Sequence, residues 1–517
     1  MKYSIVIDEF MRVYGAKKPL KIYERSVIRR GGCIFFLIRE DIEKKLVIIC
    51  PFKYTLPERF IPEEEGIFKF RDKNLRYIVC KCDGENALAL RRMFTFTRPR
   101  PLGLTPTIGL GDRIGIATPG HIRAIKGFGL LPVLAQQSIR EIQRTGRTLR
   151  EVLDGVSWAV FQEGYRMGFA ADADHLKREE DVEDAFQAGF TMYTVDPSDY
   201  VDSEADNYPV SVLRERFNGL PWSEMGIGIE RFLKVYLKKR LTLYLPDGKI
   251  RELRFSEENL MRAAVKFSNA ILFIVRVYRR LKSLFGRRRF DFEVSIDETE
   301  SPISALEHFF IVSELRRFGV RFHGLAPRFA GRFEKAIDYI GDLKEFEENF
   351  LMHVLISKAL GPYKISIHSG SDKFSIYPIV SRLAPDMVHL KTSGTSYLES
   401  LRVIARHEPN LFREIIKYSL KCFESDRRSY FTSADPKSMP NPDDIPDREL
   451  ERAFLENSSG RQILHITFGS ILTARSEDGK WLFRERIKRV LLDNEEEFYE
   501  TIAAHIRRHI EGLFGQK

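Results

Sequence analysis

The amino-acid sequence predicts an α/β fold, a (β/α)8 barrel of the TIM type. Between residues 113 and 391, short apolar segments with polar ends alternate with helical segments that show i, i+3, i+4 apolar spacing. Strand–helix alternation requires parallel strands joined by right-handed crossovers, and eight such units close most simply into a barrel. An open doubly wound sheet is the alternative, but no glycine-rich turn follows its first strand.

Each predicted barrel strand is a short buried segment that runs into a polar loop. Helical segments lie between most of them, and the connection after the fourth strand is too long for a plain loop. The predicted strands are "RIGIAT" (113–118), "PVLAQQ" (132–137), "GFAADADH" (168–175), "FTMYTVD" (190–196), "FEVSID" (292–297), "VRFHGL" (320–325), "YKISIH" (363–368) and "DMVHLK" (386–391).

Three regions are expected along the chain. Residues 1–100 contain apolar runs broken by charged turns, among them "CIFFLIRE" and "KLVIICPF", which predict an antiparallel β-rich accessory region. Residues 101–410 form the catalytic barrel, with an inserted helical cap at 200–290 that we expect to close over the barrel mouth. Residues 411–517 form a helical C-terminal extension.

The charge, the cysteine content and the apolar runs of the chain argue against nucleic-acid and membrane partners. The formal charge of +10 is modest for 517 residues with 83 basic and 73 acidic side chains. The densest basic run, "YRRLKSLFGRRRF" (278–290), has the spacing of a solvated amphipathic helix, so no nucleic-acid partner is expected. Five irregularly spaced cysteines, no signal peptide and no apolar run of ~18 residues predict a cytoplasmic protein without a membrane partner.

Histidines and carboxylates at the ends of the predicted strands indicate a metal site. Because the active site of such a barrel lies where the strands end, His175, His323 and His368 are candidate ligands of a divalent cation. Each histidine could instead be a hydrogen-bonded structural group. Asp174 and Glu298 follow strands three and five, and a pair of carboxylates on opposite sides of a metal suits catalytic acid and base roles.

The loops after strands seven and eight, "HSGSDK" and "KTSGTS", predict an anion-binding site. Their glycines and hydroxyl residues expose backbone N–H groups, and many barrels bind phosphate at this place. Helix-capping turns are the alternative reading. The candidate substrate-binding residues, with two from strands two and three, are Gln137, Lys177, Ser371, Lys373, Lys391 and Thr392.

Several long blocks of the sequence resemble the tagaturonate epimerase family. They lie between residue 111 and about residue 400, and they are "GDRIGIATPGHIRAI", "PVLAQQSIREIQRTGRT", "VFQEGYRMGFAADADHLK", "GFTMYTVDPSDYVD", "SIDETESP" and "IHSGSDKFSIYP". The resemblance implies interconversion of tagaturonate and fructuronate in hexuronate breakdown, a ketohexuronate substrate and a divalent cation such as Mn2+, Co2+ or Zn2+. From "DADH" it implies Asp174 as base and His175 as ligand.

The reaction that the resemblance implies leaves two mechanisms open. The two sugars differ at the carbon two bonds from the ketone, whose hydrogen is not acidified by that carbonyl. Either retro-aldol cleavage and re-addition inverts this carbon, or acid and base groups on opposite faces deprotonate and reprotonate it. A metal-dependent isomerase or aldolase of a phosphorylated sugar is the nearest rival, and a non-catalytic nucleic-acid-binding protein is a distant one.

The sequence alone leaves two questions open. Side chains alternate along a strand, so Asp174 and His175 can both face the site only if the strand ends at Ala173. The sequence also leaves open whether the chain forms a homo-oligomer.

Overall fold

A computed structural model describes residues 4–15 and 20–515. The first part of the chain folds into a five-stranded antiparallel sheet with the order β1-β2-β3-β5-β4. Alternating apolar residues of this sheet pack against helices on its two faces, as the sequence predicts. The elements are α1 (Ser4–Tyr14), β1 (Leu20–Arg30), β2 (Cys33–Glu40), β3 (Glu43–Pro51), β4 (Glu64–Phe70), β5 (Lys73–Lys81) and α2 (Gly84–Met93).

A closed barrel of eight parallel strands forms the centre of the molecule and confirms the predicted fold class. Its strands are nearly all buried, because helices cover them outside and side chains fill the interior. In order around the barrel they are β6 (Thr107–Gly109), β7 (Leu131–Ser138), β8 (Ala170–Leu176), β9 (Met192–Val195), β12 (Asp291–Ile296), β13 (Gly324–Pro327), β14 (Lys364–Ile367) and β15 (Val388–Lys391). Two further strands, β10 and β11, belong to the insertion.

The connections between these strands are helical. Several helices begin with the side chain of a Ser, Thr or Asp that accepts a backbone N–H, which explains where they start. The connecting helices are α3 (Thr118–Ile125), α4 (Ile139–Thr145), α5 (Leu149–Gln162), α6 (Glu180–Ala188), α10 (Glu257–Phe285), α11 (Ala305–Arg317), α12 (Leu343–Leu360), α13 (Tyr377–Leu383) and α14 (Thr395–His407).

The predicted position of the first barrel strand is wrong. Residues 113–118 are a loop that enters α3, and the strand is β6, six residues earlier. The apolar pattern of "RIGIAT" reflects burial without strand pairing. The loop wraps around the carboxylate of Asp112, which accepts the backbone N–H groups of Ile114, Gly115, Ala117 and Thr118.

The sixth strand lies four residues later than predicted. The expected strand 320–325 is mostly a loop, and β13 starts at Gly324. Glycine is required there, because a Cβ atom on Gly324 would lie 2.6 Å from Oε2 of Glu293 on β12. The shift places His323 before the strand and not after it.

The insertion packs on the outside of the barrel. It contains α7 (Val210–Asn218), α8 (Trp222–Met225), α9 (Ile229–Tyr236) and the hairpin of β10 (Arg240–Tyr244) and β11 (Ile250–Arg254) around "PDGK". Helix α10 follows and packs between α6 and α11, so it is the helix that precedes the fifth barrel strand. None of residues 200–290 is among the described residues that line the cavity at the barrel mouth, where Tyr430 and Phe431 contribute to the wall. Closure of the insertion over the mouth stays a prediction.

The last hundred residues are mainly helical. They comprise α15 (Pro409–Asp426), α16 (Ser458–Ile466), α17 (Phe468–Thr473), α18 (Arg484–Asp493) and α19 (Glu495–Phe514). Helix α19 packs on α3, α13 and α14 of the barrel. The domain division at residues 100 and 410 stays a prediction. Within the described residues, no helix combines the length and hydrophobicity needed to cross a membrane.

Candidate active site

A buried ionic network lies inside the barrel near the carboxyl ends of the strands. Lys391 on β15 is its centre, with Nζ 2.9 Å from Asp172 Oδ2, 2.6 Å from Asp174 Oδ1 and 2.9 Å from Glu293 Oε1. Burial alone would lower the pKa of Lys391, but these three carboxylates raise it well above its usual value. The predicted substrate lysine is therefore a permanent cation that holds three strands together.

The carboxylates around Lys391 do not titrate alike. Burial raises the pKa of Asp172 to about 6, although Lys391 opposes this shift. For Asp174, burial acts in the same direction, but the charges of His175 and Lys391 outweigh it and hold the pKa well below the usual range. Asp174 is thus ionised at neutral pH, and Gln136 Nε2 donates to its other oxygen at 2.6 Å.

A β-bulge brings Asp174 and His175 to the same side of the strand. Pairing between β8 and β9 runs from Ala173 opposite Tyr193 to Leu176 opposite Val195, so β8 carries one extra residue. That residue is accommodated by a left-handed backbone at His175, with φ of 57°. The strand does not end at Ala173, yet both side chains face the cavity because the bulge breaks the alternation.

His175, Asp297 and His368 place three donor atoms together. Asp297 Oδ1 lies 3.0 Å from His368 Nδ1 and 3.9 Å from His175 Nε2, and the donor atoms of all three lie within 4.8 Å of one another. Ser295 donates a further hydrogen bond to Asp297. Two imidazoles and one carboxylate are a common ligand set for a catalytic divalent cation, with positions left open for substrate.

The second nitrogen of each histidine supports this assignment. His175 Nδ1 lies 2.8 Å from Asp174 Oδ1, and His368 Nε2 lies 2.9 Å from Glu293 Oε1. A carboxylate on the far nitrogen fixes the ring and its tautomer and is typical of metal-binding histidines. Burial would lower the pKa of His175, but Asp174 outweighs it and raises the value to about 10. The surroundings thus favour positive charge at this place.

Glu298 and Lys177 lie at the mouth of the site. Lys177 Nζ is 3.2 Å from Glu298 Oε2 and 3.5 Å from Asp196 Oδ2. Burial raises the pKa of Glu298, but His175 and other cations more than compensate, so its pKa is lowered. Glu298 also forms a second potential ligand group with His175 and Asp196.

His175, Asp297, Glu298 and His368 line a cavity of about 420 Å3 that opens at the carboxyl end of the barrel. Asp174, His175 and Lys391 form its floor, and the aromatic residues Tyr430 and Phe431 of the C-terminal region contribute to its wall. The volume suits a small polar ligand.

Two cations extend into the same cavity from the connection after β13. Arg328 donates to the carbonyl of Thr299, and Lys335 Nζ donates to Ser369 Oγ at 2.7 Å. No ion pair joins Lys335 to another residue in the part of the chain that the structure describes. Lys335 is therefore free to meet an anionic group of a ligand.

The predicted ligand His323 lies at the wrong end of the barrel. Its backbone N–H donates to the carbonyl of Phe292, and its Nε2 is 3.8 Å from Asp291, the first residue of β12. The strands are parallel, so this is the end opposite to His368. In the candidate ligand set, Asp297 stands where the sequence predicted His323.

Four predicted substrate-binding residues point away from the cavity. Gln137 donates to the Asp112 carbonyl and Thr392 to the Gly109 carbonyl, at 3.0 and 2.7 Å. Ser371 is buried against Thr395. Lys373 donates to the carbonyls of Glu334, Ile337 and Ser371, and burial lowers its pKa to about 7. These four side chains therefore hold the loops together, while Ser369, Lys391 and Ser393 of the same loops line the cavity.

The sequence gives no specific catalytic, ligand or binding role to six residues of the site, although Gln136 and Asp297 lie at predicted strand ends. The six are Gln136, Asp172, Glu293, Asp297, Arg328 and Lys335. Alternation offered a signal for three of them. Asp172 lies two residues before Asp174, and Glu293 precedes Asp297 by four, so each pair shares one face of a strand. No comparable pattern marks Arg328 and Lys335, which reach the site from a loop.

A second group of potential ligands lies in the loop after β14 and on α19, and its His509 already uses both ring nitrogens. Asp372, His505 and His509 are buried together. His509 Nδ1 donates to the His505 carbonyl, and its Nε2 accepts the backbone N–H of Asp372 at 3.0 Å, so no lone pair is free. Arg461 donates to Asp372 at 2.8 Å and supplies the positive charge that a cation would otherwise bring.

Several known proteins similar to this chain are named as epimerases of tagaturonate and fructuronate. A sequence profile described as tagaturonate epimerase matches residues 23–513. The chain is 43% identical over 516 residues to the tagaturonate/fructuronate epimerase of Thermotoga maritima, with 100% of both chains covered. Crystal structures of fructuronate-tagaturonate epimerase UxaE from Cohnella laeviribosi, native and with two glycerol molecules, superpose with TM-scores of 0.88 and 0.89 at 37% and 36% identity, again over 100% of both chains. The chain belongs to the tagaturonate epimerase family.

Proposed function

We propose that the chain interconverts tagaturonate and fructuronate in the cavity at the carboxyl end of the barrel, as part of hexuronate breakdown. The observation that carries the proposal is the grouping of His175, Asp297 and His368 between Asp174 and Glu298. One cavity is then surrounded by ligands for a cation and by two carboxylates that can transfer protons. The names of the family and of its full-length relatives support the substrate pair.

A divalent cation would be held by His175, Asp297 and His368. When bound, such a cation lowers the pKa of a substrate hydroxyl and stabilises negative charge on substrate oxygens. Asp174 and Glu293 orient the two imidazoles through their far nitrogens, at 2.8 and 2.9 Å. Lys391 keeps both of these carboxylates ionised, so the orientation persists at neutral pH.

The charge state of the carboxylates favours retro-aldol chemistry over direct proton removal from carbon. The pKa values of Asp174, Asp297 and Glu298 are all lowered. These groups are weak bases, unsuited to removing a proton from an unactivated carbon but suited to a hydroxyl that has been acidified. Asp174 therefore takes the hydroxyl proton at the carbon to be inverted.

In the retro-aldol sequence, loss of that proton forms an aldehyde as the adjacent carbon–carbon bond breaks. The bonding electrons pass into the ketone-bearing fragment, which becomes an enediolate. After the aldehyde turns its other face, the enediolate attacks it, the bond reforms, and the new alkoxide regains the proton. The proton held by Asp174 returns to the new alkoxide by way of Glu298, which is paired with Lys177 at the mouth.

Lys335 is the proposed partner of the substrate carboxylate. It lines the cavity without an ion pair among the described residues, and Arg328 lies on the same wall. A carboxylate held there places the sugar chain across the cavity toward His175 and His368. This assignment replaces the predicted site in the loops after β14 and β15.

We also propose that the protein acts in the cytoplasm. All five cysteines are unpaired thiols, which is typical of a reducing compartment.

The test is conversion of tagaturonate by the purified protein. We expect fructuronate to form, activity to disappear after treatment with a chelator, and Mn2+, Co2+ or Zn2+ to restore it. No conversion with any of these ions would contradict the proposed function. Conversion that a chelator leaves unchanged would contradict the metal site alone.

A further inference from the structure

A second cavity lies at the opposite end of the barrel. Its volume is about 610 Å3, and it is bounded by the first residue of β12, Asp291, by the carboxyl end of α10, and by the loop before β13. Five cations line it, and these are Lys282, Arg287, Arg288, Arg289 and Arg321.

The positive charge in this cavity is not compensated. Asp291 is the single acid in the lining, and its carboxylate is buried and accepts the backbone N–H groups of Leu102 and Gly103. Among the described residues, Lys282, Arg287, Arg289 and Arg321 take part in no ion pair. Earlier on the same helix, by contrast, Arg276 and Arg280 pair with Glu179 and Glu183.

The end of a helix explains only part of this cluster. The partial negative charge at the carboxyl end of α10 favours Lys282 in the last turn. Arg288 donates to the carbonyls of Leu284 and Phe285 and so completes the helix end. Arg321, however, comes from a different loop, and Arg287 and Arg289 make no hydrogen bond with the described residues. Like charges brought together in this way repel one another unless an anion joins them.

The cavity also has an apolar wall. Tyr278 lines it beside Phe290, with ring centroids 6.0 Å apart, and Pro101 and Leu102 also line it. A volume of this size, with one apolar wall and several arginines, matches a small organic anion better than a single inorganic ion.

We propose that this cavity binds a phosphorylated small molecule, with Arg287, Arg289 and Arg321 contacting its phosphate oxygens. Guanidinium groups form paired hydrogen bonds with phosphate, and three of them from two elements surround one polyanion. This cavity is separate from the proposed active site, so the proposal can be tested independently of the epimerase reaction.

The test uses tripolyphosphate as the probe and calorimetric titration of the full chain at fixed low salt. The site variant carries Arg287→Gln, Arg289→Gln and Arg321→Gln. The matched control carries Lys53→Gln, Arg59→Gln and Arg92→Gln, three exposed cations of the N-terminal region. Both variants lose the same charge, and all six side chains are exposed, so both should fold.

We expect saturable binding at one site, weakened by about tenfold or more in the site variant and by no more than about twofold in the control. Absence of saturable binding to the unmodified chain would overturn the proposal, and so would equal weakening in the two variants. Tighter binding of a short duplex DNA through the same three arginines would show that the ligand is nucleic acid, and the proposal of a small ligand would be wrong.

Discussion

At the scale of single residues, the site depends on His175 in a conformation that few side chains adopt. Its left-handed backbone allows two successive residues of β8 to face one cavity. Such a conformation costs about 1–3 kcal/mol and is found mainly where function requires it. The orientation of the ring is then set by Asp174.

His368 and His323 form a matched pair of histidines for testing the ligand set. Replacing His368 with Gln removes a ligand atom and should lower kcat/KM by about 100-fold or more. His323→Gln, at the other end of the barrel, should leave it within about threefold. The measurement is steady-state kinetics together with the metal content of each variant. Equal losses in the two variants would refute the assignment.

Lys335 gives a test of substrate recognition. Lys335→Gln should raise KM for tagaturonate by about tenfold or more, because a charge-assisted hydrogen bond to the substrate is lost. The change in kcat should be smaller. As a control, the corresponding neutral ketohexose should be bound equally by variant and unmodified protein. An unchanged KM for tagaturonate would place the carboxylate elsewhere.

At the scale of elements, the loop after β14 is fixed from behind by α19. Asp372 in this loop accepts from Arg461 and lies 3.2 Å from His505 Nε2, while His509 accepts its backbone N–H. The same loop begins with His368 and Ser369, so α19 positions a proposed metal ligand without touching the cavity. Ser369 and Asp372 both have positive φ, which these contacts maintain.

Asp372→Asn should therefore lower stability strongly. The change leaves Arg461 and His505 buried without their anion, and the free energy of unfolding should fall by about 3–5 kcal/mol. The exposed Asp386→Asn serves as control and should change it by less than about 0.5 kcal/mol. Urea denaturation measures both, and similar values for the two variants would contradict the role of Asp372.

Element boundaries also explain what the sequence could and could not predict. Seven of the eight barrel strands overlap their predicted positions, because buried runs followed by polar loops are typical of parallel strands. The first strand was misplaced, since a loop around Asp112 is as apolar as a strand. The shift of β13 by four residues moved His323 to the wrong end. Asp174, His175 and His368 could be selected as candidates because they directly follow or end clear strands, and all three line the cavity.

Contacts between distant elements could not be predicted from the sequence. Nothing in the pattern shows that Lys391 would bind carboxylates of β8 and β12, or that loop residues Arg328 and Lys335 would reach the cavity. Hydrophobic periodicity predicts which side chains are buried, but not which partners they meet.

At the scale of the whole molecule, Glu495 at the start of α19 joins the N-terminal sheet to the C-terminal region. Its carboxylate accepts from Lys21 at 2.7 Å, Tyr23 at 2.8 Å and Tyr499 at 2.7 Å. Burial would raise the pKa of Glu495, but Lys44 and the hydrogen bonds lower it to about 2.

This lowered pKa predicts a specific acid sensitivity. The stabilisation by Glu495 is complete above its ordinary pKa of 4.5 and is lost as pH falls toward 2. Glu495→Gln should lower the free energy of unfolding at pH 7 by about 2–4 kcal/mol and flatten its dependence on pH between these values. Glu496→Gln, at the exposed neighbouring position, should cost about 1 kcal/mol or less. Denaturation curves at several pH values measure the free energy of unfolding of each variant. An unaltered pH dependence in Glu495→Gln would contradict the stabilising role of the Glu495 carboxylate.

Conversion of tagaturonate in D2O by the metal-loaded protein, followed by NMR, tests both the retro-aldol mechanism and the proposed active site. Retro-aldol chemistry at the site of His175, Asp297 and His368 predicts fructuronate without carbon-bound deuterium at the inverted carbon. Deuterium at that carbon would contradict the mechanism, and failure to form fructuronate would contradict the site.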